Sequence, residues 1–337
     1  MTALEKTAQA LVAPGKGILA ADESSPTIAK RFKNIDVEST ESNRRDYRAA
    51  LFSAPGLGEF ISGIILFDET LRQKNEDGVP LVKVLQDQGI IPGIKVDKGA
   101  KALALFPSEK VTEGLDGLRD RLSEYVELGA RFTKWRAVIT IGDRIPTAYC
   151  IKANAHALAR FAALSQEAGL VPIVEPEVLM DGSHSLERCF CITELTLQSV
   201  FEELFRHRVA LEQMLLKASM VISGKEAPQQ ASPAEVAERT LVCLKQTVPA
   251  AVPGIVFLSG GQSDIRATEN LNEMNRMGKV PWELSFSYGR ALQAPALKAW
   301  AGNKNNVPAA QRALLHRARC NSAARYGKYS GELEEQS

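Results

Sequence analysis

Val171-Pro-Ile-Val-Glu-Pro-Glu-Val178 is an apolar run that carries two carboxylates, Glu175 and Glu177, towards its C-terminal end. Read as a strand, its period of two puts both acids on one face. The preceding run, Phe132–Ile139, carries Lys134 and Arg136 with the same spacing, and the following run, Val209–Lys217, ends on a lysine. Further out lie Gly17–Asp22, Gly63–Asp68, Gly93–Asp97, Gly254–Gly260 and Trp282–Gly289. These short stretches, rich in Ile, Val, Leu and Phe, have the composition of parallel strands buried on both faces.

The segments between the runs have helical period. Leu115, Leu118, Leu122 and Tyr125 share one face, with Gly129 placed to end that helix. Ser232-Pro-Ala-Glu235 reads as a capping box with proline at the first helical position, and 154–167 is another helical run closed by Gly169. Alternation of strand and helix fits a closed barrel or a large doubly wound sheet. The barrel is preferred because ionisable and hydroxyl residues gather at the C-terminal ends of the runs, the face on which barrel active sites are built. The expected fold is α/β: a single (β/α)8 TIM barrel over 1–337, with additional N- and C-terminal helices and a flexible tail from about 330.

Composition excludes several function classes. With 45% hydrophobic and 24% charged residues, a formal net charge of +1 and no block of like charges, the chain shows no footprint for nucleic acid or for a membrane surface. No apolar run approaches the ~18 residues a bilayer span needs, and the start lacks a signal-peptide pattern. Five scattered cysteines form no CxxC pair. A reduced, cytoplasmic protein is expected.

Lys, Lys, Arg, Glu, Glu and Asp on successive buried strands are costly to bury except around a polar site. Lys217 beside a second cation such as Lys134, and partly desolvated, is expected to lose proton affinity and become a Schiff-base nucleophile. Glu175 can shuttle protons as the carbinolamine dehydrates, and Asp22 can deprotonate the hydroxyl on the carbon that leaves as an aldehyde. Ser259, Gly260, Gly261, Gly289 and Arg290, after the seventh and eighth runs, suit a phosphate. Ser24, Lys95 and Arg136 could hold a second one. Two anion sites imply a bisphosphorylated sugar.

The chain closely resembles the class I fructose-1,6-bisphosphate aldolases. The matching stretches are Gly15-Lys-Gly-Ile-Leu-Ala-Ala-Asp-Glu-Ser24, Gly93-Ile-Lys-Val-Asp-Lys-Gly99, Lys134-Trp-Arg136, Ile173-Val-Glu-Pro-Glu177, Leu215-Leu-Lys217, Phe257-Leu-Ser-Gly-Gly-Gln-Ser263 and Leu284-Ser-Phe-Ser-Tyr-Gly-Arg-Ala-Leu-Gln293. They run in order over nearly the whole chain. The resemblance implies cleavage of fructose 1,6-bisphosphate to dihydroxyacetone phosphate and glyceraldehyde 3-phosphate, a lyase reaction of glycolysis and gluconeogenesis, with no metal and no cofactor. It implies that Lys217 forms the Schiff base and Glu175 is its acid/base, with Lys134 and Glu177 beside them and Asp22 on the C4 hydroxyl. Ser259, Gly260, Gly289 and Arg290 would bind the ketose-side phosphate; Ser24, Lys95 and Arg136 would serve the other end. It implies a cytoplasmic homotetramer.

Three departures stand out. Ala218-Ser219-Met220 follows the lysine where the family usually reads Pro-Asn-Met or Pro-Ser-Met. Gln213 replaces a usual glycine, which would crowd the barrel if it faced inward. The family's terminal Tyr has no counterpart in Glu334-Glu-Gln-Ser337, and Tyr329 comes too early.

Rival readings are a weakened relative with a binding or scaffold role and a Schiff-base aldolase preferring another ketose such as sedoheptulose 1,7-bisphosphate. Leu258-Ser-Gly-Gly-Gln262 spells an ABC-ATPase signature, but no GxxxxGK[ST] loop accompanies it. A zinc-dependent aldolase needs clustered ligands, whereas His156, His184, His207 and His316 are dispersed and expected to be surface or packing residues.

Overall fold

The structure is a computed structural model that describes residues 1–335. Its centre is a closed barrel of parallel strands: β1 (Gly17–Ala21), β2 (Ile61–Leu66), β3 (Ile91–Lys95), β4 (Phe132–Ile139), β5 (Val171–Val178), β6 (Leu215–Ala218), β7 (Gly254–Phe257) and β8 (Glu283–Tyr288). Each strand pairs with its neighbours in sequence, and β8 returns to β1, with Ile18 opposite Ser287 and Leu19 opposite Tyr288. Helices surround the barrel, and a small antiparallel pair, Ala100–Ala102 with Lys110–Thr112, branches off after β3. The fold is the (β/α)8 barrel expected from the sequence.

The period-two pattern sorts side chains into two cores. Outward residues such as Trp135, Val174, Leu216 and Phe257 pack against the helices. Trp135, for example, stacks on Phe161 of the Ala148–Glu167 helix at 5.6 Å between ring centroids. Inward residues Ile18, Ala20, Ile65, Phe132, Val171, Ile173, Leu215 and Val256 form a separate cluster inside the barrel. The first helix, Ala3–Leu11, contributes Ala8 and Leu11 to that cluster and so plugs the barrel floor. Gly93 has a steric role here: a Cβ on it would stand 2.2 Å from the Phe132 ring.

On each site-bearing strand the inward series starts apolar and ends polar. Ile18 and Ala20 lead to Asp22; Phe132 leads to Lys134 and Arg136; Val171 and Ile173 lead to Glu175 and Glu177; Leu215 leads to Lys217. The apolar ends fill the floor beside the plug, and the polar ends line the mouth. Burial of the apolar half is what holds the polar half in place.

Some boundaries differ from the sequence reading. The sixth run was expected to be strand from Val209, but β6 begins at Leu215, after a 3-10 turn at Leu211–Gln213. Leu115 lies before its helix, which begins at Leu118 after Gly117 adopts a left-handed conformation with φ 63°. The Ala148–Glu167 helix starts a turn and a half earlier than expected, capped by Thr147, whose hydroxyl accepts from Cys150 N–H. Within the expected flexible tail, Gly331–Glu335 form a 3-10 turn whose Glu334 accepts from Arg317 and Tyr329. Residues 336–337 lie outside the described residues.

Candidate active site

The lysine that ends β6 is buried, and its Nζ lies 3.2 Å from Oε1 of Glu175 on β5. The other oxygen of Glu175 lies 3.2 Å from Nζ of Lys134 on β4 and accepts no hydrogen bond among the described residues. Lys134 in turn lies 2.5 Å from Oδ2 of Asp22, one residue beyond β1. The result is a chain of alternating charge, Lys217, Glu175, Lys134, Asp22, across the barrel mouth. Register explains the approach: Lys134 pairs with Ile173, and Arg136 with Glu175, on adjacent parallel strands.

Electrostatics follow from that alternation. Burial alone would raise the pKa of Asp22, but Lys134, Lys217 and Lys95 outweigh it and hold the carboxyl well below the usual range. Glu175 shows the same balance: burial raises it, and Lys134, Lys217 and Arg136 bring it below its ordinary value. For Lys134 burial works against the charge, yet Asp22, Glu175 and Asp97 push the ammonium above the ordinary lysine range. The two lysines were expected to sit together in apolar surroundings and depress one another. For Lys134 the direction is the reverse, because it is sandwiched between carboxylates.

These side chains open into a cleft of about 450 Å³ lined by Asp22, Ser24, Lys95, Lys134, Arg136, Glu175, Glu177, Lys217, Ser259, Gly260, Gly289 and Arg290. Every residue that the sequence nominated for the site, Gly261 excepted, therefore lines one surface. Cationic side chains outnumber carboxylates there seven to four, which suits a multiply charged anion. Two helix N-termini face it without a side-chain cap: Ser25–Lys33 behind Ser24, and Arg290–Trp300 behind Gly289. Uncapped N–H groups at a helix start are ready donors for phosphate. Gly260 and Gly261 have φ of 60° and 100°, and a Cβ on Gly261 would stand 3.2 Å from an Arg290 guanidinium nitrogen. A side chain there would push the guanidinium by a few tenths of an ångström, and the left-handed backbone at Gly261 independently favours glycine. Asp97 stiffens the opposite wall: Oδ1 lies 3.3 Å from Lys95 Nζ and Oδ2 accepts from the Arg136 backbone N–H at 3.1 Å. Glu177 is ion-paired with Arg136.

The profile of the family described as fructose-bisphosphate aldolase class-I matches residues 3–337. The chain is 61% identical to a probable fructose-bisphosphate aldolase class 1 of Xanthomonas campestris, covering 97% of this chain and 98% of that one. It is 56% identical to fructose-bisphosphate aldolase 1 of Toxoplasma gondii, covering 97% and 91%. The chain belongs to the class I fructose-bisphosphate aldolase family. A solved fructose-bisphosphate aldolase of Plasmodium falciparum, in complex with TRAP and a small-molecule inhibitor, superposes with a TM-score of 0.96 at 53% identity, covering 97% and 95%.

Within this aldolase the sequence reading missed part of the cleft wall. Glu23, Thr27, Lys30, Arg31, Asn34 and Ser287 also line it. The signal was present: Ser24, Thr27, Arg31 and Asn34 recur at spacings of three and four, the polar face of the helix that follows β1. Arg31 is ion-paired with Glu23, which also accepts from Gln293 Nε2 at 2.8 Å. Gln213 does not face the barrel interior. It sits in the 3-10 turn before β6, and its side chain reaches Thr2 Oγ1 at 3.3 Å on the surface. Ser219, in the altered Ala-Ser-Met stretch, locks β5 to the segment after β6: its hydroxyl accepts from Val178 N–H and donates to Val178 O, both at 3.0 Å. The histidines are less dispersed than their sequence positions suggest, since the fold brings His156 and His207 together, rings 5.0 Å apart.

Proposed function

We propose that the chain performs the reaction of its family, reversible cleavage of fructose 1,6-bisphosphate into dihydroxyacetone phosphate and glyceraldehyde 3-phosphate, through an imine on Lys217. The observation that carries this reading is the placement of Glu175, 3.2 Å from Lys217 and 3.2 Å from Lys134. Lys217 Nζ attacks the C2 ketone, and Glu175 relays protons while the carbinolamine loses water. The iminium then accepts the electron pair of the C3–C4 bond as Asp22 removes the C4 hydroxyl proton. Glyceraldehyde 3-phosphate leaves, and protonation at C3 followed by hydrolysis frees dihydroxyacetone phosphate and the lysine.

Lys134, kept charged by its carboxylate neighbours, stabilises Asp22 and Glu175 as anions. Ser259, Gly260, Gly289 and Arg290 hold the phosphate on the ketose side; Ser24, Lys95 and Arg136 hold the distal one, with Arg31 as a further cation from the same helix as Ser24. Glu177 orients Arg136. The homotetramer and cytoplasmic location implied by the family are part of the same reading. An Arabidopsis thaliana relative at 54% identity is named a cytosolic aldolase. Among the described residues no helix is long and apolar enough to cross a membrane.

Borohydride reduction in the presence of dihydroxyacetone phosphate, followed by peptide mass spectrometry, tests the core of this proposal. A stable adduct on the peptide containing Lys217 is expected. Lys217→Arg should give no adduct and no turnover, because a guanidinium cannot form the iminium. An adduct on another lysine, or a tenth or more of the rate retained by the variant, would move the nucleophile elsewhere.

A further inference from the structure

Outside the cleft, one group of side chains has the chemistry of a metal site. Glu203 and His207 are one helical turn apart at the end of the Leu186–Arg206 helix, and His156 projects from the neighbouring Ala148–Glu167 helix. The carboxylate of Glu203 is buried, and its Oε2 lies 3.0 Å from His156 Nδ1 and 3.8 Å from His207 Nδ1. One donor atom from each of the three lies within 4.8 Å of the other two. Tetrahedral zinc ligands at about 2.0–2.2 Å stand roughly 3.3–3.6 Å apart, so small side-chain adjustments in both directions bring the three atoms into place. The His156 side chain is 52% exposed, which gives an ion its entry path and the ring its freedom to adjust.

The His207 Nδ1 also faces the Glu203 backbone carbonyl at 2.9 Å. Binding through Nδ1, the nitrogen 3.8 Å from Glu203 Oε2, exchanges that backbone contact for a bond to the ion. Arg206 pairs with Oε1 of Glu203 at 3.0 Å, leaving Oε2 to the histidine side.

A second three-residue group, His316, Cys320 and Glu334, is less suited. Arg317 takes both oxygens of Glu334 at 2.5 Å, and Tyr329 donates to one of them. Cys320 is almost fully buried. An ion there would have to displace a guanidinium that has no other carboxylate so close.

We propose that His156, Glu203 and His207 bind one divalent transition-metal ion of the zinc type, with a fourth position open to water. Two imidazoles and a carboxylate select a borderline ion over magnesium or calcium, which favour oxygen donors. The site lies on the helical layer rather than in the cleft, so the ion fastens the two helices that follow β4 and β5 and takes no part in carbon–carbon chemistry. The inference does not depend on the reaction proposed above.

The test is titration of the full-length, EDTA-stripped protein with zinc chloride alone, followed by calorimetry and thermal melting. One equivalent should bind and raise the Tm, as any ligand specific to the folded state must. His156→Asn and His207→Asn should each weaken binding by more than about tenfold, since even loss of an outer-shell partner typically costs about 10–100-fold. The double variant His316→Asn/Cys320→Ser should keep the wild-type affinity, and aldolase turnover should be the same with and without zinc. Because His156 is half exposed, its variant reports on the site without threatening the fold. Absence of binding overturns the proposal. So does binding that survives in both single variants, or that disappears in the His316/Cys320 variant.

Discussion

A buried lysine between two carboxylates is the feature on which the cleft's charge balance turns. Lys134 keeps its proton because Asp22 and Glu175 flank it, and they stay ionised because it is there. Replacing it by glutamine removes the cation and leaves two anions facing each other across the mouth. Both carboxyl pKa values should then rise, so the acid limb of the kcat/KM profile moves to higher pH. The linked stability has a definite sign. Carboxyls with depressed folded-state values contribute stability above their ordinary values of 3.8 and 4.5, and it is lost as pH falls through the lowered ones. In Lys134→Gln the fall of the urea midpoint with pH below about 4.5 should therefore be shallower than in wild type. A profile and a midpoint curve that coincide with wild type would show that Lys134 does not set the charge of its neighbours. At this scale much was legible: a charge inside an apolar run marks a site, and every nominated residue except Gly261 lines the cleft. The sign of the effect on Lys134 was not, because sequence does not reveal that Glu175 on the adjacent β5 and Asp22 beyond β1 flank it from two sides.

The elements show why some boundaries could be read and others could not. β4 and β5 coincide with their apolar runs because both are long, alternate cleanly inside and end in turns. The sixth run misled because Val209, Met214 and Leu215 are all buried, although only the last belongs to a strand. Apolarity reports burial, and the buried residues on either side of a 3-10 turn, Val209 and Met214, carry the same signal as a strand. Gln213 occupies that turn with its side chain on the surface, so Gln213→Gly should leave kcat unchanged. It should lower stability by about 0.5–1 kcal/mol from added backbone entropy, read from the urea midpoint. A large loss of activity would give the glutamine a role that its position does not suggest. The Pro233–Thr247 helix was legible from its first residues: the Ser232 hydroxyl accepts from Glu235 N–H, and Glu235 returns the bond to the Ser232 backbone. Ser232→Ala should cost about 1 kcal/mol, again read from the urea midpoint, with kinetics untouched. An effect near zero would mean that tertiary packing alone holds that helix start.

At the scale of the molecule, the last long helix ties the end of the barrel to its beginning. Arg325 is almost fully buried; it donates to the carbonyls of Lys16 at 2.5 Å and Ala13 at 3.2 Å, and it pairs with Glu283 at the start of β8. Arg325→Ala strands those carbonyls and should destabilise the fold by about 2–4 kcal/mol, lowering the urea midpoint while the folded fraction keeps its kcat. A midpoint unchanged within about 0.5 kcal/mol would show that closure depends on the strand ladder alone. Neither this tie nor the plugging of the floor by Ala3–Leu11 could be read from sequence, since each depends on residues hundreds of positions apart meeting at one end of the barrel.

The pairing of β1 with β8 also sets a timetable for biosynthesis. β1 emerges from the ribosome early, but one of its edges has no partner until Tyr288 follows. At about 5–20 residues per second, that open ladder persists for roughly a quarter of a minute to nearly a minute. Over that interval the nascent chain presents an unfilled edge and an exposed apolar floor, which is the state that chaperones recognise and neighbouring chains invade. Supply of the aldolase is therefore governed by protection of an incomplete ring as well as by the stability of the finished one.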